Sequence, residues 1–156
     1  MNSGFRELLR LFRSHKVRYL VVGGYAVMKY TEPRYTMDLD LWIDTSLLNA
    51  RRVYKALSEF GAPIEGYTPE DFTSSGMVHQ IGIPPSRIDI LTSISGLKFD
   101  SAWPRRRRAR VGGEFLFFAS LEDLIKSKKK TGRLQDKLDV SNLELARARN
   151  QNAKTR

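Results

Sequence analysis

Arg34-Tyr35-Thr36-Met37-Asp38-Leu39-Asp40-Leu41-Trp42-Ile43 is the stretch on which the reading of this chain turns. From 37 to 43, Asp38, Asp40 and Trp42 alternate with Leu39, Leu41 and Ile43. A period of two is that of a β-strand, whose successive side chains point to opposite faces. The two carboxylates therefore project side by side. Neighbouring like charges raise each other's pKa unless a cation lies between them. Hard divalent ions such as Mg²⁺ accept oxygen ligands in that setting, completed by water and phosphate. Alone, an Asp-x-Asp pair more often marks a solvated edge strand. The flanking Leu39, Leu41 and Ile43 are too apolar for that.

Two neighbouring segments strengthen the chemical reading. Tyr19-Leu20-Val21-Val22 is a short β-rich run that stops at Gly23-Gly24, with helix-compatible sequence from Tyr25 to Tyr30. A glycine turn between strand and helix lets backbone N–H groups and the helix N-terminus approach phosphates, although the same glycines also serve an ordinary turn. Further on, Arg87-Ile88-Asp89-Ile90-Leu91 places one carboxylate inside another apolar strand. If that strand pairs beside 37–43, three carboxylates converge, and three can hold two metal ions roughly 4 Å apart, the arrangement suited to in-line displacement at phosphorus.

The remaining pattern supplies a scaffold. Phe5, Leu8, Leu9 and Phe12 recur at helical spacing over 3–14, with Ser3 as the expected cap. A second amphipathic helix spans 46–60 and stops at Gly61. The Gly-, Pro-, Ser- and Thr-rich stretch 61–75 reads as loop, with one helical turn at Pro69–Phe72. Strands are expected at 77–83, 87–92 and 114–118. Ser120-Leu121-Glu122-Asp123 has the form of a capping box, Gly132 breaks the helix it opens, and a last helix is expected over 134–149, followed by a frayed tail at 150–156. The fold class is α+β: a mixed sheet with helices packed on it, in one domain over 1–149.

Composition bounds the function. The chain of 156 residues is 41% hydrophobic and 28% charged, as in a globular protein. It has no cysteine, which excludes disulfides, thiolate metal sites and cysteine nucleophiles and agrees with a cytoplasmic setting. No apolar run reaches the roughly 18–20 residues of a membrane span. The net charge of +10 is lopsided: residues 1–97 net +1 and residues 98–156 net +9. Such a field attracts polyanions, with a solvated surface as the plainer reading. Arg105–Arg108 is its densest part, and on a strand these arginines would alternate between faces. Trp103 suits base stacking or, more commonly, core packing. His15 and His79 lack metal-ligand spacing. Arg34 has the reach for a bidentate grip on a triphosphate, or for a structural ion pair.

Val22-Gly23-Gly24-Tyr25-Ala26, then Arg34-Tyr35-Thr36-Met37-Asp38-Leu39-Asp40, then Ile88-Asp89 together resemble the polymerase-beta-like nucleotidyltransferase superfamily. Within it, they are most similar to minimal bacterial members like the AbiEii/MenT toxin group. The resemblance extends through Ser120-Leu121-Glu122-Asp123-Leu124-Ile125, Lys128, Gly132-Arg133, Asp136 and Asp139, covering about residues 17–140. It implies transfer of a nucleoside monophosphate from an NTP such as ATP, with two Mg²⁺ ions (or Mn²⁺ in their place). Asp38, Asp40 and Asp89 would be the metal ligands and catalytic residues, with Asp89 also helping to deprotonate the acceptor. Gly23, Gly24, Arg34, Thr36 and Lys128 would bind the nucleotide. Gly24 stands where many members carry serine, so backbone donors would replace the hydroxyl contact. Three functions fit these residues: a transferase acting on an acceptor hydroxyl, on RNA or tRNA through the basic half; a catalytically weak module that binds nucleic acid or protein; and a toxin–antitoxin partner that AMPylates a protein tyrosine.

Overall fold

The computed structural model describes residues 1–33, 38–83 and 85–154. Helix α1 (Ser3–Ser14) buries Phe5, Leu8, Leu9 and Phe12. Each such side chain contributes about 1.5–3 kcal/mol when removed from water. Asn2, rather than Ser3, caps this helix, its Oδ1 accepting from the Phe5 N–H at 2.8 Å. Strand β1 (Tyr19–Val22) is buried throughout and runs directly into α2 (Gly23–Tyr30). Strand β2 (Asp38–Ile43) leads to α3 (Leu47–Phe60), closed by a left-handed Gly61. Buried Asn49 ties these parts together: Oδ1 accepts from Arg18 N at 2.8 Å, and Nδ2 donates to Arg18 O at 3.0 Å and Asp44 O at 2.7 Å.

A 3₁₀ turn at Pro69–Phe72 precedes β3 (Val78–Ile81) and β4 (Arg87–Leu91). A one-turn helix, α4 (Phe99–Ala102), and a 3₁₀ turn at Trp103–Arg105 follow, and neither is evident in the sequence pattern. Strands β5 (Arg107–Val111) and β6 (Glu114–Phe118) form an antiparallel hairpin. Helix α5 (Leu121–Thr131) begins at Ser120, whose Oγ accepts from Asp123 N at 3.1 Å, and ends at Gly132. The capping is not reciprocal, because the Asp123 carboxylate binds Arg105 instead. The last helix, α6 (Leu134–Lys154), continues past the expected end at 149.

The six strands form one mixed sheet in the order β3-β4-β2-β1-β6-β5. The expected fold class, a mixed sheet with helices packed on it, is the one observed. The pairings that matter are β2 with β4, parallel, and β1 with β2, antiparallel. They place the Asp-bearing strand near the centre of the sheet, where Leu39, Leu41 and Ile43 are fully buried on its other face. Among the described residues, no helix is long and apolar enough to cross a membrane.

Candidate active site

The parallel register of β2 and β4 sets Asp40 opposite Asp89 and Asp38 opposite Arg87. Partners in register share a face, and so do residues two apart on a strand. One sheet face therefore gathers Asp38, Asp40, Arg87 and Asp89. The three expected carboxylates come together, as the sequence pattern requires only if the two strands are neighbours.

At the end of β1, Gly23 turns the chain towards α2 with φ +66°, and a methyl group built on it would overlap Asp40 Oδ2. Only glycine allows that backbone to lie against the carboxylate in this left-handed conformation. Gly24 is buried in the first turn of α2.

Electrostatics mark Asp40 as short of cations. Burial pushes the Asp40 carboxyl up to about 7; the charge of Asp89, a hydrogen bond shared with it and the charge of Asp38 push the same way, and Arg87 offsets them only in part. Asp38 Oδ1 and Asp89 Oδ1 are both buried without a hydrogen-bond donor. Arg87 supplies a cationic charge in contact with these carboxylates: its Nη2 lies 2.5 Å from Asp38 Oδ2, and its Nε lies 3.2 Å from Asp89 Oδ1.

These observations test the implied metal. The donor set is all oxygen, two buried oxygens lack a hydrogen-bond donor, and one carboxyl is pushed up by burial and by its acidic neighbours. All three features suit hard divalent cations. Among the described residues, however, no three acidic or histidine side chains already close around a common point. The Arg87 guanidinium lies among them. The residues fit the ion, in an arrangement that is not yet a cage.

The carboxylates line a cleft of about 610 Å³ whose opposite wall comes from α5 and the start of α6. Lys128 stands there, with Nζ 3.3 Å from Asp136 Oδ1 and 3.0 Å from Asp139 Oδ2. Burial would raise the Asp136 carboxyl, but hydrogen bonds from Arg133 and Thr131 and the Lys128 charge outweigh it and hold Asp136 at about 2. Lys128 is thus distinct from the rest of the lysine run, since Lys129 turns away to Glu144 at 2.8 Å. Arg133 lines the same cleft, anchored through Nε to Asp136 Oδ2 at 2.8 Å, with most of its side chain exposed. Ser93, Ser95, Ser127 and Thr131 add hydroxyls. Arg34 and Thr36 lie outside the described residues.

Sequence reasoning missed Arg87 as a site residue. The signal for Arg87 was present, since it sits two before Asp89 on the same strand face. Arg133 entered through the resemblance without a site role, and its spacing of three from Asp136 is the local signal for the ion pair observed. The basic run also needs correction. Arg105 is not on a strand; its Nε and Nη2 grip the buried Asp123 carboxylate at 2.9–3.2 Å. Arg106 stacks 3.9 Å from the Trp103 ring centre. Trp103 also stacks on Phe99, so its ring is part of the packing. Arg107, Arg108 and Arg110 remain exposed on the edge strand β5. His79 is buried, bonded to the Asp71 carbonyl at 2.9 Å, and His15 pairs with Glu59.

No family model matches the sequence, and no curated protein matches it. Solved structures do. LnuA, a lincosamide antibiotic adenylyltransferase solved with lincomycin bound, is similar at 18% identity and a TM-score of 0.60, over 92% of this chain and 96% of that one. The antibiotic-resistance factor ANT(2'')-Ia is similar at 11% identity and a TM-score of 0.57, over 98% and 92%. TM1012 of Thermotoga maritima, assigned to the nucleotidyltransferases, is similar at 18% identity and a TM-score of 0.55, over 97% and 91%. The fold is that of nucleotidyltransferases.

Proposed function

We propose that this chain is an Mg²⁺-dependent nucleotidyltransferase that forms a bond between the α-phosphorus of an NTP and an acceptor hydroxyl oxygen, releasing pyrophosphate and the hydroxyl proton. The observation that carries this reading is the meeting of Asp38, Asp40 and Asp89 on one face of two parallel strands, with Gly23 packed against Asp40. Asp38, Asp40 and Asp89 would hold the divalent ions, which supply charge neutralisation at the phosphates and a more acidic acceptor hydroxyl. The chain's own contribution is placement: Gly23 brings the start of α2 against Asp40 at the cleft, and Lys128 and Arg133 face the carboxylates from the far wall. Gly24, buried behind the turn, belongs to this reading through the motif alone, as do Arg34 and Thr36. Positioning and charge, rather than a covalent intermediate, account for rate in such a site.

For the acceptor, the exposed Arg107, Arg108 and Arg110 favour a polyanion such as RNA or tRNA. The AbiEii/MenT-like grouping, a toxin–antitoxin setting and AMPylation of a protein partner rest on the motif resemblance and involve the same transfer with other acceptors. LnuA and ANT(2'')-Ia add small hydroxylated antibiotics to the acceptors worth testing. The deciding experiment incubates the protein with each α-labelled NTP, Mg²⁺ and, separately, total RNA, cell protein, lincomycin or tobramycin. Label should pass to one acceptor class, and Asp40→Asn should abolish it. No label in any arm, with fresh protein and either Mg²⁺ or Mn²⁺, would defeat the enzymatic reading and leave the binding-module alternative.

A further inference from the structure

Arg87 occupies the position where a cation is needed. Its guanidinium lies 2.5 Å from Asp38 through Nη2, and its two contacts to Asp89 measure 3.2 Å from Nε and 3.4 Å from Nη2. The register sets it opposite Asp38, so it cannot avoid the carboxylate face. A guanidinium does not lose its proton in a protein, so it gives up a carboxylate only by moving or by exchange with another cation. It has somewhere to go: the side chain is 29% exposed and lines the same cleft as Lys128 and Arg133.

We propose that Arg87 is a resident counter-cation that exchanges with the divalent ion and then binds the nucleotide's phosphates. As the bridge between Asp38 and Asp89 it takes up the space that an ion shared by these carboxylates would need. Metal entry frees the guanidinium, whose planar fork suits phosphate oxygens as well as it suits carboxylates. Metal and nucleotide then bind cooperatively: either one alone leaves a cation crowded or an anion unpaired. This inference rests on the metal reading of the three aspartates.

The test measures Mn²⁺ binding by the loss of the free-ion electron paramagnetic resonance signal, with and without an NTP analogue whose α–β bridging oxygen is replaced by methylene. Each analogue arm is read as the loss beyond that of a protein-free mixture of Mn²⁺ and analogue. The proteins are the parent, Arg87→Gln, Arg87→Lys and Asp40→Asn. Without nucleotide, Arg87→Gln should bind Mn²⁺ about tenfold more tightly, the effect of one competing charge. The analogue should tighten Mn²⁺ binding to the parent and have little effect on that of Arg87→Gln. Arg87→Lys, which keeps the charge but cannot span two carboxylates, should fall between them and serves if the glutamine variant does not fold. Equal or weaker Mn²⁺ binding by Arg87→Gln, with Asp40→Asn deficient, overturns the exchange but leaves the metal site standing. Failure of parent and variants alike to bind Mn²⁺, even with the analogue, overturns the metal site and the exchange with it.

Discussion

At Gly23 a single missing carbon lets the backbone lie against the Asp40 carboxylate. Any side chain there meets Asp40 Oδ2 and adopts a left-handed backbone. Gly23→Ala should therefore destabilise the protein by about 1–3 kcal/mol, the usual cost of such strain. It should also push Asp40 out of line, so thermal stabilisation by Mg²⁺ should shrink along with the melting temperature. A Gly23→Ala protein that melts like the parent and responds equally to Mg²⁺ would show the close approach to be unimportant. Asp40 gives the complementary prediction. Mg²⁺ at a hundredfold excess over its dissociation constant stabilises a folded protein by about 2.7 kcal/mol. Calorimetry should register that gain in the parent and little of it in Asp40→Asn, whereas the metal-free variant should melt no lower than the parent because a crowded buried charge is gone. A parent indifferent to millimolar Mg²⁺, with or without NTP, contradicts the assignment.

Among the elements, the strands were legible where their faces differ. The alternation of Asp38-Leu39-Asp40-Leu41 identified β2, and Asp89 among Ile88 and Ile90 identified β4. The pairing of those two strands was not legible, because a side-chain period carries no record of which strand lies alongside. Helix α1 announced itself through Phe5, Leu8, Leu9 and Phe12, while α4, with four residues, is too short to show a period. The arginine strand β5 lacked an apolar alternation of its own and takes its form from hairpin pairing with β6. The α5–α6 corner was visible as Gly132, and Asp136 is held there by its near neighbours Arg133, Thr131 and Lys128, which the turn at Gly132 folds back onto it. Its carboxyl sits at about 2, below its ordinary 3.8. A depressed pKa contributes stability that is complete above about pH 5 and is lost as pH falls towards 2. Asp136→Asn should cost about 2 kcal/mol at pH 7 on that linkage. Urea unfolding at pH 7 and pH 3 should show the gap narrowing on acidification, and a gap of constant size would mean that the corner is not held by this charge.

For the molecule as a whole, charge and topology have separate consequences. Arg108 and Arg110 pair in register with Phe117 and Phe115, while Arg107 pairs with Phe118 and so takes the other face. Through the register of β6, β1 and β2, Arg108 and Arg110 share the face of Asp40, three strands and so about 14 Å away. An RNA whose backbone crosses that strip would present a hydroxyl to the cleft. Changing Arg108 and Arg110 to Gln should weaken RNA binding between about 50 and 200 mM salt and flatten the logarithmic salt slope by one to two units. NTP affinity should stay where it was. A double variant that matches the parent leaves these arginines as guards against edge-to-edge pairing of β5. The order of the sheet has a kinetic consequence as well. Asp40 and Asp89 are joined across a parallel pair with some fifty residues looped between them, and β1 reaches β6 across an even longer interval, from Val21 to Phe118. Contacts so distant in sequence are expected later in folding than the local helices and the β5–β6 hairpin. An ion that needs both strands has nothing to grip in the transition state, so its stabilisation belongs to the unfolding rate. In stopped-flow experiments, Mg²⁺ should lower the unfolding limb of the chevron and leave the refolding limb in place.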